Sequence, residues 1–171
     1  MTNPAPSSDT RAGAELDRAF EQRDGYADAA PVPRIGLFGN GIPETLIAAT
    51  GALPVHLSGG RQAEASPIDA VIEPFVDDEV RIFLNRLMNG AFSGLRGIVF
   101  ARDDAPALIA YQYATEWVRQ GRAGSETVPL FLWNLVHTDT PAVHAFNLIQ
   151  TEKLFAFLQP IGLSRPTPAA I

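Results

Sequence analysis

Residues Arg34 to Ser58, RIGLFGNGIPETLIAATGALPVHLS, decide how this chain folds. The stretch opens on a short apolar run, Ile35 to Phe38, of the kind that forms a strand buried on both faces. Gly39, Asn40 and Gly41 then release the chain into a loop. The residues that follow carry helix-start chemistry: Pro43, whose missing N–H costs nothing in a first turn, and Glu44, whose charge meets the positive end of the helix dipole. Leu46, Ile47 and Thr50 face one way. Gly51 supplies the left-handed conformation that stops the helix, and Ala52 to Leu57 reads as a second strand despite Pro54. Strand, loop, helix and strand make a βαβ unit, which puts the first loop at the carboxyl edge of a parallel sheet, where such sheets bind ligands. The same glycines also serve a plain turn, which any βαβ unit needs whether or not it binds anything.

Downstream, Gly59 to Ser66 is polar and Gly-rich, and the patch Ile68, Val71 and Ile72 within Pro67 to Phe75 fits strand or helix equally. Asp77 or Asp78 caps a helix whose Val80, Phe83, Leu84, Leu87 and Met88 recur at helical spacing, and Gly90 and Gly94 end it. Arg96 to Ala101 is a third buried-type strand. Asp103, Asp104 and Pro106 open the next helix, which runs to about Gly121 with Leu108, Ile109, Tyr113 and Trp117 on one face. Val128 to Val136 reads as a fourth strand, followed by His137, a Thr-Asp-Thr-Pro helix start and a helix to about Leu158. Upstream, Met1 to Thr10 reads as a disordered tail, Arg11 to Gln22 as a short amphipathic helix through Leu16, Ala19 and Phe20, and Arg23 to Pro33 as a linker. Strands alternating with helices predict a three-layer α/β fold, Rossmann or flavodoxin-like, with a mainly parallel sheet of about four strands flanked by helices. One domain is expected over residues 11–163, with tails at 1–10 and 164–171.

Composition narrows the function classes. At 171 residues and 46% hydrophobic, the chain supports one domain with a real core. A net charge of -6, with thirteen Lys and Arg scattered rather than clustered, argues against a nucleic-acid partner. No signal-peptide pattern and no apolar run of membrane-spanning length is visible, so no membrane partner is expected and the cytoplasm is the expected location. With no cysteine, the chain has no disulfide, no thiolate nucleophile and no thiolate-held metal.

The string GNGIPETLIAATGALPVHLSG resembles the opening segment of the 2-hydroxyacyl-CoA dehydratase and benzoyl-CoA reductase family. There, a Pro-Glu pair follows the first strand and a helix ending in Ala-Gly-Ala leads to a Pro-Val strand. The resemblance is close over this stretch, looser afterwards, and corresponds to the family's first α/β domain. It implies that Gly39, Glu73-Pro74 and Arg102-Asp103-Asp104 stand where family members carry three cysteines around a four-iron four-sulfur cluster. Glycine, glutamate and aspartate are not the soft ligands that iron requires, so no cluster or other cofactor is expected on this chain. The implied function is a cluster-less, non-redox or structural subunit of an acyl-CoA dehydratase-type complex, partnered by a homologous cysteine-containing subunit. The alternatives are a stand-alone acyl-CoA or small-acid binding module, or a cluster-free lyase or hydratase.

Candidate site residues each have a plainer role. Glu44, Glu73 and Asp103 are candidate acid-base groups. A first-turn glutamate, a solvated loop residue and a helix cap account for the three equally well. Three carboxylates at one sheet edge, Glu73, Asp103 and Asp104, would also suit a hard metal, but no metal site is expected. Gly39, Asn40, Gly41 and His137 are the candidate ligand-binding residues: the glycines let backbone approach a ligand, unpaired N–H groups at the following helix start favour an anionic or carbonyl oxygen, and His137 follows the fourth strand. His56 reads as a strand-end side chain. Trp117, Trp133, Tyr111 and Tyr113 read as core before ligand platform.

Overall fold

β1 (Arg34–Phe38) is buried from its second residue onward because it runs through the middle of the sheet. In this computed structural model, which describes residues 32–122 and 128–166, β1 pairs in parallel with β2 (Leu53–His56) on one side and β3 (Gly97–Ala101) on the other. β4 (Leu130–Trp133) pairs in parallel with β3, completing the order β2-β1-β3-β4. The expected tail at 1–10, the helix at 11–22 and residues 167–171 lie outside the described part. With α1 (Glu44–Ala49), α2 (Asp78–Met88), α3 (Ala105–Arg119) and α4 (Pro141–Leu158), the architecture is the three-layer α/β fold that the alternation predicts. Pro54 sits in β2, an edge strand, where a missing N–H breaks no inner ladder.

Alternation along each strand sorts the core into two layers. Phe38 stacks on Phe83 of α2 at 3.9 Å between ring centroids, and Phe100 meets Phe83 edge-on at 5.8 Å and Tyr111 of α3 at 5.6 Å. α2 and α3, which pack against each other, therefore cover one face. On the other face, Phe131 stacks on Phe157 of α4 at 5.1 Å, and a Cβ at Gly97 would stand 2.9 Å from the same ring. Glycine at that position lets α4 lie against the sheet.

Two readings of the sequence are corrected and one left open is resolved. The buried face of α3 consists of Ala107, Ala110, Ala114 and Trp117, while Leu108, Ile109 and Tyr113 are half-buried at its flanks. A helix wedged closely between a sheet and a neighbouring helix turns its small residues inward, whereas a periodicity reading weights the large ones. The patch within Pro67 to Phe75 forms only a 3-10 turn, Pro67–Ala70, tied to α2 by side chains: Arg81 Nη1 donates to Asp69 Oδ1 at 2.8 Å, and Asn85 Oδ1 accepts from Ser66 N and Oγ at 2.7 and 2.8 Å. β4 stops at Trp133, opposite Ala101, because β3 offers no later residue to pair; Leu135 and His137 continue as coil at the carboxyl edge. Among the described residues no helix is long and apolar enough to cross a membrane.

Candidate functional site

Parallel strands open all their following loops at one edge, and the order β2-β1-β3-β4 sets the loop after β1 directly beside the loop after β3. The chain leaves β1 toward β2 on one side and reaches β3 on the other, so this is the switch point at which open α/β sheets form a ligand crevice. Asp104 closes the gap between the two loops. Its Oδ2 accepts from Asn40 N at 3.3 Å and from Asn40 Nδ2 at 3.0 Å, while its Oδ1 accepts from Ala107 N at 3.1 Å and so caps α3. Gly39 makes this approach possible: its φ is +97°, and a Cβ there would lie 2.7 Å from Ala107 Cβ and 3.0 Å from both Ala101 Cβ and Asp104 Cβ.

A cleft of about 230 Å³ opens beside this clasp, lined by Asn40, Gly41, Arg102, Asp103, Asp104, Trp133 and His137 among others. His137 Nε2 lies 2.9 Å from Asp103 Oδ2, and Arg102 Nη1 lies 3.6 Å from Asp103 Oδ1. A second cleft of about 210 Å³ shares Asn40 and Asp104 with the first and is lined also by Gly39, His56 and Glu79. His56 Nε2 is 2.9 Å from Glu44 Oε1, so Glu44 serves as an exposed partner of a strand-end histidine.

The charges in the first cleft are largely matched. Asp104 already receives three N–H donors, and its carboxylate takes the position at the start of α3 where a bound anion would otherwise benefit from the helix dipole. α1 offers no substitute. It has only six residues, and its Glu44 N–H returns to Ile42 O at 2.9 Å, which takes one of the donors expected to be free there. The arrangement therefore favours a neutral group that both donates and accepts hydrogen bonds over a phosphate or a metal. Among the described residues no cluster of three His, Asp or Glu side chains is placed to hold a metal ion.

Of the residues singled out in the sequence, Asn40, Gly41, Asp103 and His137 meet in one cleft, and Gly39 lines its neighbour. Glu44 and Glu73 line neither. Glu73 lies by α3, where its N–H donates to Tyr113 Oη at 3.3 Å, so Glu73, Asp103 and Asp104 do not converge as a three-carboxylate site. The roles of two contributors were hidden in the sequence. Asp104 reads as a cap or a metal-type carboxylate rather than as a clasp on Asn40, and Trp133 as core before ligand platform, because neither its partner nor its cleft lies nearby along the chain. No protein-family model matches this chain, and no curated protein sequence matches it.

Proposed function

We propose that this chain is a cluster-less relative of the 2-hydroxyacyl-CoA dehydratase subunits and acts as a non-redox component of an acyl-CoA dehydratase-type complex, seating the acyl end of a thioester in the cleft beside Asn40. The observation that carries this reading is the crevice at the β1/β3 switch point, where the Asp103–His137 pair and the Asn40–Asp104 clasp face the same small volume. At about 230 Å³ the cleft falls below the roughly 300 Å³ at which drug-sized sites begin, so it suits a short acyl group with the carrier lying outside. Asp104, whose carboxylate meets only uncharged N–H donors, disfavours a free acid relative to the uncharged thioester. Gly39, which stands where the resembled family has a cluster cysteine, has no room even for a Cβ, and this supports a non-redox role.

Calorimetric titration of the N-acetylcysteamine thioester of 2-hydroxybutyrate, and of free 2-hydroxybutyrate, tests the proposal. The thioester should bind and the free acid bind more weakly. His137→Ala should weaken thioester binding about tenfold, the cost of one hydrogen bond in a partly desolvated site. Gly41→Val should weaken it further by narrowing the cleft mouth. If the thioester binds neither to the chain alone nor to the chain co-expressed with a cysteine-bearing partner, the proposal fails.

A further inference from the structure

We infer that Trp133 supplies the hydrogen bond that fixes the ligand's carbonyl oxygen in this cleft, an inference that rests on the proposed binding function. Trp133 ends β4, lines the cleft beside Asp103, Asp104 and His137, and is only 5% exposed. Its indole Nε1–H is buried with no acceptor. Indole nitrogen can only donate, and buried donors are nearly always paired, so an orphan in the wall of a cleft marks a group held for an incoming oxygen.

The carboxylates that share the cleft are committed elsewhere. Asp104 is occupied by Asn40 and Ala107, and Asp103 by His137 and Arg102. The root of the tryptophan is anchored, because Trp133 pairs with Ala101 and its carbonyl accepts from Arg102 N at 2.9 Å. The coil at 134–139, which brings Leu135 and His137 to the cleft, lies outside the sheet, and the His137 side chain is 72% exposed. Nε1 is closed to solvent, so the contact requires this exposed coil to move outward as the ligand enters. Beside the new carbonyl contact, a hydroxyl on the adjacent carbon would donate to the other ring nitrogen of His137, whose Nε2 is held by Asp103. The chemical class that fits is a short, neutral 2-hydroxyacyl ester, thioester or amide.

Nitrogen-15 correlation spectra of the full chain test the contact, since Trp117 and Trp133 are its two tryptophans and give two indole signals. The Trp133 signal is identified by its loss in Trp133→Phe, or by elimination in Trp117→Phe should the first variant not fold. Titration with the N-acetylcysteamine thioester of 2-hydroxybutyrate should move the Trp133 indole proton downfield and leave that of Trp117 in place. Trp133→Phe should bind about tenfold more weakly. Thioester binding with an unmoved Trp133 indole, or equal binding by wild type and Trp133→Phe, overturns the contact and leaves the proposed function standing. Absence of heat and of any shift in either signal, both for the chain alone and for the chain co-expressed with a cysteine-bearing partner, overturns the binding reading of the cleft, and the contact with it.

Discussion

Asp104 holds Asn40 through both of the asparagine's donors, the backbone N–H at 3.3 Å and the side-chain amide at 3.0 Å, while its other oxygen caps α3. One carboxylate thus joins two loops and starts a helix. Asp104→Ala should lower stability by about 1–3 kcal/mol, a lost cap plus the released loop. Asn40→Ala keeps its backbone bond and should cost under about 1 kcal/mol. In a denaturant-monitored double-mutant cycle the two losses should fall short of additive, because they share one interaction. Additive losses would mean that the clasp contributes nothing.

The two glycines flanking Asn40 should differ sharply on substitution. Both have positive φ, +97° at Gly39 and +79° at Gly41, and alanine at either meets a backbone penalty of about 1–2 kcal/mol. Only at Gly39 does the new methyl also collide, with Ala107, Ala101 and Asp104, whereas at Gly41 it enters open space. Gly39→Ala should therefore cost about 2–5 kcal/mol in total and Gly41→Ala only the backbone part. Equal midpoint shifts in urea would contradict the close packing of β1's loop on α3.

Asn85 is 5% exposed and makes three hydrogen bonds that staple the 3-10 turn to α2, accepting from Ser66 N and Oγ and donating to Asp69 Oδ1, and a fourth within α2, to Arg81 O. Asn85→Ala strands the buried Ser66 donors and should cost about 2–3 kcal/mol. Hydrogen exchange should speed up over Ser66–Glu73 before it does in β1. Unchanged protection there would show the turn to be held by Ile68 and Ile72 instead.

The same network carries a pH dependence. The Arg81 guanidinium, first, and the Asn85 amide hold the Asp69 carboxyl below its usual value. The folded state then binds the proton less readily than the unfolded one, so the stabilisation is complete above the ordinary aspartate value of about 4 and is lost as pH falls through the lowered folded value. Thermal midpoints should drop with acidification from about pH 5 downward, and Asp69→Asn should be less stable at neutral pH yet flatter over that acid range. A variant with the same acid slope as wild type would assign the sensitivity to other carboxylates.

Much of this molecule is written in short stretches. Ile35 to Phe38 and Gly97 to Ala101 are apolar or small throughout because central strands are buried on both faces, and Gly51, Asp77, Asp104 and Thr140 mark helix ends through chemistry that acts within a few residues. The parallel α/β class and the lack of thiolate chemistry follow from such local signals and from composition. The buried face of α3 does not, since alanines gain their place from how closely the sheet and α2 approach them.

What only the tertiary structure decided is which loops become neighbours. Asn40 and Asp104 are 64 residues apart, and His137 stands 34 beyond Asp103. Local periodicity makes a strand or a helix but does not order the strands. That order is chosen when β3 pairs with β1 rather than β2, a choice governed by the summed burial of both helix layers. The same pairing carried β4 and its Trp133 to the wall of the cleft.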